Sequence, residues 1–370
     1  MRAVVEGRLD AADPAFQTHI DRCLGCRGCE SVCPSGVEYG QLLELARVEA
    51  VAAGRQPWLT RILLRIFASK ALSRSVMAPA RWIRASGLPA LLVSRSWGDG
   101  VGATARFGLA MVEASRPVAF PATSTSPTAG ESGGPGGTSR PSAGDERLRV
   151  GVLMGCVQDQ LFRRVNEATV RVLEANGMDV VPVASQECCG ALHAHSGDLA
   201  GARSLAIRNI QAFQDLELDR VAVNAAGCGA AMKEYGHLLE DDPSWAARAV
   251  AFSRKVRDIS EVLTERPLRA GASTAMTVTV DHPCHLLHAQ RLSEPPLEVL
   301  KAIPGLEIIP LRNADECCGG AGIYGVTHPD LGARIGGDKV GAVLETAADG
   351  IATGNPGCMM QIGAGLRMAG

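Results

Sequence analysis

The sequence predicts an α/β protein made of one duplicated unit, preceded by a smaller, mainly helical module. Three observations predict it. A cysteine pattern is written twice: Cys156, the adjacent Cys188 and Cys189 with Gly190, then Cys228; and again Cys284, Cys317 and Cys318 with Gly319, then Cys358. The steps from 156 to 188 and from 189 to 228 are 32 and 39 positions, against 33 and 40 in the second copy. Scattered core cysteines do not repeat at matched spacing, so the unit is a duplicated four-thiol site. Next, strand-like apolar runs alternate with helical patterns across the same region, the sign of parallel βα units. Finally, Cys23, Cys26, Cys29 and Cys33, followed by Pro34, form a C-x2-C-x2-C-x3-C-P run. All twelve cysteines are thereby used.

Composition sets the frame. A chain of 370 residues has room for two or three domains. The net charge of −2 gives no overall basic character and argues against nucleic acid as a partner. The Met1 end has no basic segment followed by an apolar run, so no export signal is read and a cytoplasmic setting is expected. Thiols in that setting are metal or redox groups more often than disulfides. The apolar stretches near 58–68 and 85–93 are too short and too interrupted to cross a bilayer.

In chain order, Phe16, His19 and Ile20 mark a short helical lead-in. The run from Cys23 to Cys33 is the bacterial ferredoxin signature for a [4Fe–4S] cluster. Three thiolates two residues apart on a tight loop wrap one cubane, and Gly25 and Gly28 let backbone N–H groups approach it. In two-cluster modules the fourth cysteine of such a run serves the other cluster, so Cys33 either closes this cluster or belongs to a second motif. A structural zinc loop is the plain alternative. Leu42, Leu45, Ala46 and Ala50 then give a helical pattern. Segments near 58–67 and 81–84 mix Leu, Ile and Trp with Arg. Such a face lies on a membrane or partner, or packs at home with its arginines in water. Residues 117–145 are rich in Pro, Ser, Thr and Gly and read as a flexible linker.

The duplicated region follows. Strands are expected at 149–154, 179–183, 220–225, 277–281, 306–311 and 350–353, with helices near 161–173, 199–213, 294–302 and 330–346. Each cysteine group falls just beyond a strand's carboxyl end, where open α/β sheets place ligands. Helix N-termini there suit anionic thiolates. The expected divisions are 1–56, 57–115, 116–147, 148–265 and 266–370. His193, His195, His285 and His288 are candidate ligands or proton carriers, or simply bond nearby backbone. Tyr324 and Lys233 read as packing and surface.

These motifs resemble the tandem CCG cysteine-rich domain shared by the heterodisulfide reductase B subunit, anaerobic glycerol-3-phosphate dehydrogenase C subunit, lactate-utilisation iron–sulfur proteins and the glycolate oxidase iron–sulfur subunit. The last is the nearest resemblance, through the stretch from His19 to Glu30, Gly227 to Ala230, His282 to Gln290 and Gly354 to Cys358. It implies an electron-transfer subunit without a catalytic residue of its own. Electrons would come from flavoprotein subunits oxidising glycolate or another 2-hydroxy acid and leave towards a membrane quinone or other acceptor, the protein lying peripherally on the inner face. A heterodisulfide reductase B-like protein, whose cluster attacks a disulfide, is the alternative; a lactate-utilisation or glycerol-3-phosphate dehydrogenase subunit is another. The resemblance also implies an upstream ferredoxin motif and a C-terminal extension that this sequence lacks, hence the expectation of a truncated chain. The fullest CCG sites carry a fifth cysteine where Ala231 and Gln361 stand here. The four remaining thiols per half suffice for an iron–sulfur cluster, favoured over Cys₄ zinc.

Overall fold

The computed structural model describes residues 1–54, 56–95, 101–117 and 147–370, except the side chains of Val101 and Ala103. The stretch read as a linker, 117–145, lies outside the described residues apart from Pro117.

The N-terminal module forms because two helices share a small apolar seam. Helix α1 (Pro14–Asp21) starts at Asp13, whose carboxylate accepts from the N–H groups of Ala15 and Phe16, with Pro14 at the first position. It buries Phe16 and Ile20 against Leu43, Ala46 and Ala50 of α2 (Tyr39–Ala53). The stripe is therefore not quite the expected one: Leu42 and Leu45 face outward. The reason is visible in Arg47, which must reach the carbonyls of both Cys23 and His195 and so fixes the rotation of α2. The connector supplies α3 (Trp58–Phe67), α4 (Lys70–Ala85), α5 (Leu88–Val93) and α6 (Val101–Ala114).

The first repeat runs β1 (Arg149–Val152), α7 (Val157–Leu161), α8 (Arg163–Ala175), β2 (Asp179–Val181), α9 (Leu199–Gln214), β3 (Arg220–Val223), α10 (Ala226–Lys233), β4 (Val256–Asp258) and α11 (Ile259–Thr264). Its strands lie parallel in the order β2-β1-β3-β4, with Val150 opposite Val180 and Arg220. The second repeat runs β5 (Met276–Val280), β6 (Leu306–Ile309), α12 (Pro329–Glu345), β7 (Gly350–Ala352) and α13 (Pro356–Ala369). Its order, β6-β5-β7, is the same arrangement without the fourth strand. Strand β4 was not anticipated; two of its three residues, Arg257 and Asp258, are charged, so no apolar run marks it.

One face of the first sheet packs Leu153, Val221 and Val223 against Leu205, Ile210 and Phe213 of α9. Each such burial stabilises by about 1.5–3 kcal/mol. The close approach needs Gly151, because a Cβ there would lie 2.6 Å from Leu218 and 3.2 Å from Phe213. Val150, Val152 and Ala222 face the other way onto Leu173 and Val262. The second sheet has a smaller interior around Leu311, Ala342, Val343 and Ile362. Among the described residues no helix is long and apolar enough to cross a membrane.

Candidate metal centres

In each sheet the first strand is central and the chain leaves it first to one side and then to the other. That reversal opens a crevice at the carboxyl ends of the strands. Cys156 follows β1, Cys188 and Cys189 follow β2, and Cys228 sits in the first turn of α10 beyond β3. The second repeat places Cys284, Cys317, Cys318 and Cys358 identically, the last in the first turn of α13. Gly190 and Gly319 hold φ of +86° and +80°, the left-handed turn that brings both adjacent thiols to the crevice.

Within each group the thiols form a chain of neighbours. Cys188 is held well below the ordinary thiol range, first by a hydrogen bond from Cys156, then by one from Cys189. Cys156 and Cys189 are correspondingly pushed well up. The second group repeats this, with Cys317 held down by Cys284 and then Cys318. Four neighbouring buried or half-buried thiols, one of them lowered by its neighbours, are the donor set that a soft metal group requires. Among the described residues no three His, Cys, Asp or Glu side chains converge on a single ion. The sulfurs are instead strung along the strand ends.

Polar side chains fix the first group from behind. The Asn209 amide donates to the Cys188 carbonyl at 2.9 Å and to the Tyr235 hydroxyl at 3.2 Å, while that hydroxyl donates to the Cys189 carbonyl at 2.8 Å. The second group has a buried ion pair instead, Lys339 to Asp281 at 3.1 Å, with Thr353 donating to the same carboxylate. Burial raises the Asp281 carboxyl, and Lys339 then draws it back. The expected fifth-cysteine positions also differ. Ala231 lines a cavity of about 240 Å³ that reaches Cys189, whereas Gln361 fills its place and donates to the Gly332 carbonyl at 3.1 Å.

The loop from Cys23 to Cys33 is seated on both repeats. Arg27, at a left-handed φ of 64°, pairs with Glu30 and with Glu234 of the first repeat. On the second, Tyr324 donates to the Arg22 carbonyl at 2.8 Å, and His328 lies 2.8 Å from Asp21. Burial pushes the Cys26 thiol up, the Gly28 N–H pulls it down, and the thiols of Cys317, Cys23 and Cys29 push it further up. Cys26 likewise raises Cys284. Cys29 is exposed, and Cys33 is lowered by the backbone N–H groups of Val37, Ser35 and Gly36.

The histidines divide. His288 bonds Ser31 Oγ at 3.2 Å and the Asp315 carbonyl at 3.1 Å, the plain outcome. His195 pairs with Glu44. His193 is buried with Nδ1 unpartnered, and its charge helps lower Cys188. His285 lies 3.5 Å from Cys284 and 5.1 Å, ring to ring, from His195; burial chiefly pushes its pKa down to about 3. Tyr324 packs as read, but its hydroxyl also ties the two modules together. Lys233 pairs with Glu261, the capping residue of α11. Asn209, Tyr235, Arg27, Arg47 and the Lys339–Asp281 pair were not found from sequence. A charged residue at an apolar-strand end, as Asp281 is, was the available signal for the last.

Comparison with known proteins agrees with this geometry. The model of the cysteine-rich CCG domain matches residues 150–233 and again 278–363. The probable glycolate oxidase iron–sulfur subunit of Bacillus subtilis is 36% identical over 379 residues, covering 100% of this chain and 82% of that protein. This chain belongs to the glycolate oxidase iron–sulfur subunit family. The Escherichia coli glycolate oxidase iron–sulfur subunit is 32% identical, over 94% of this chain and 78% of its own length. Lactate utilization protein A of Geobacillus kaustophilus, 30% identical, covers 60% of this chain. The family places the two thiol groups in CCG domains of an oxidoreductase subunit.

Proposed function

We propose that this chain is the iron–sulfur electron-transfer subunit of a glycolate or related 2-hydroxy acid oxidase. It takes electrons from flavoprotein subunits and passes them towards a membrane acceptor from a peripheral, cytoplasmic position. The observation carrying this reading is the seating of the ferredoxin loop beside the second CCG group, where Cys26 and Cys317 lie within electrostatic reach. Three thiol sets in one chain, two of them adjoining, are an arrangement for moving electrons rather than for transforming a substrate. Iron–sulfur clusters bound there would supply one-electron storage. Cys23, Cys26, Cys29 and Cys33 would hold a [4Fe–4S] cluster. Cys156, Cys188, Cys189 and Cys228, and Cys284, Cys317, Cys318 and Cys358, would each hold a further cluster. The likeness to iron–sulfur subunits favours a cluster over one zinc ion at these thiols. The protein's own part is to bury the thiols of each half, to lower one of them through its neighbours and to fix the loop against both halves.

The test is electron paramagnetic resonance and iron analysis of anaerobically prepared protein. Cys317→Ser should remove one centre and alter the ferredoxin-type signal, whereas Cys188→Ser should remove a different one and leave that signal as in the parent. Iron content and spectra unchanged in both variants would end the cluster assignment.

A further inference from the structure

Helix α4 faces the wrong way for a surface that meets only water, whereas α3 buries Leu64 and Phe67 and leaves Arg61 and Arg65 exposed. Helix α4 turns Arg74, Arg81 and Arg84 towards the first CCG repeat: Arg74 pairs with Asp159 at 3.5 Å, Arg81 donates to Gln160 at 2.7 Å, and Arg84 donates to the Leu161 carbonyl at 2.9 Å. Leu72, Val76 and Ile83, spaced one and two turns apart, stand exposed on the opposite side. The plain expectation, arginines in water and apolar residues inside, is reversed. Trp82 is 79% exposed and Trp58 67%. Eight large apolar side chains are exposed among the described residues between 58 and 91.

Charge is equally one-sided. Between Glu49 and Asp99 the sequence has eight Lys and Arg and no Asp or Glu. Behind α4 the arginines border a cleft of about 510 Å³, to which α8 adds Arg163 and Arg164. Asp159 is the carboxylate lining it and is already shared between Arg74 and Arg163.

We propose that the α3–α5 face docks on an anionic phospholipid bilayer, the apolar stripe of α4 entering the headgroup boundary and the exposed Arg61 and Arg65 of α3, which share a helical face with Trp58 and Ile62, taking lipid phosphate. An acid-free apolar surface flanked by Trp and backed by arginine is what such a boundary binds: Trp sits at headgroup level, and guanidinium forks match phosphate oxygens. An acidic partner protein would account for the charge but not for an apolar stripe on α4 with two largely exposed indoles on α3 and α4. The inference rests on the electron-transfer reading only for its purpose, which is to bring this subunit to a membrane acceptor.

Flotation of the full, cluster-loaded chain with vesicles tests it. Phosphatidylcholine mixed with phosphatidylglycerol should capture the protein, and phosphatidylcholine alone should not; added salt should weaken capture. Trp82→Ser with Ile83→Ser should weaken it by about tenfold or more. Arg61→Gln and Arg65→Gln, both exposed side chains, should each weaken it about fivefold. No capture by anionic vesicles at low salt, equal capture by neutral ones, or capture indifferent to these substitutions would overturn the proposal. So would binding of inorganic phosphate in the cleft without vesicle capture, or loss of a co-purifying flavoprotein in the Trp82/Ile83 variant while capture persists. Iron content is read on the same samples: an iron-free chain that still floats would remove the electron-transfer reading and leave the docking surface standing.

Discussion

Counted from the nearest cysteine, the two CCG repeats align although each step is one residue longer in the second, yet they enclose different interiors. Leu153 and Asp281 each stand three residues before the first thiol; Ile210 and Lys339 each stand 21 beyond the second cysteine of the pair. The first repeat therefore packs two apolar side chains where the second buries an ion pair. Ala231 leaves a cavity where Gln361 fills the space. Tyr235, which braces the first group, corresponds to Gly365 in the second, where Val340 would lie 2.4 Å from a Cβ. The backbone arrangement of the thiols survived duplication, but what surrounds them did not. The thiols' geometry is set by strand ends and glycine turns, while the electrostatics around them can change residue by residue.

The sharpest way to break this comparison is at the ion pair. Lys339→Met strands the Asp281 carboxylate, and the expected cost is about 3–5 kcal/mol in chemical denaturation. The double change Asp281→Leu with Lys339→Ile writes the first repeat's pair into the second and should be neutral or stabilising by about 1–4 kcal/mol. A single variant as mild as the double would show that the pair is not coupled.

Alanine at the CCG glycines sharpens it further. Gly190→Ala and Gly319→Ala meet the same left-handed φ, so each should cost about 1–3 kcal/mol. The added Cβ lies 3.3 Å from the Ala202 carbonyl in the first repeat but 2.7 Å from the Gly332 carbonyl in the second. Gly319→Ala should thus be the more damaging, by about 1 kcal/mol or more. Equal melting shifts would mean that α12 gives way as easily as α9. The smallest effect is expected from Tyr235→Phe. It removes one donor to Cys189 and leaves the Asn209 amide short of an acceptor, about 1–2 kcal/mol by denaturation. No loss would show that the hydroxyl does not brace the thiols.

Much of this was legible in the sequence because it is local or repeated. The cysteine spacing displayed the duplication, and apolar runs ending at cysteines displayed the parallel strands. Helix α2 was legible but its inward stripe was not, since Arg47 sets that rotation through carbonyls far away in sequence. The connector was read as amphipathic, but which face meets protein depends on Asp159, Gln160 and Leu161, nearly eighty positions later. The buried ion pair escaped for the same reason: a lysine in a helix normally implies a wet face, and only the fold reveals Asp281 waiting inside.

The hydrogen bond from Tyr324 to the Arg22 carbonyl joins residues 302 positions apart. During synthesis the N-terminal end emerges first and domains fold in order. The loop of Cys23 to Cys33 therefore exists long before the surface that holds Arg22 and Asp21 has left the ribosome. Closing so long a loop comes late, after the local contacts of each repeat have formed. For most of its biogenesis the chain presents its first four thiols without their final support.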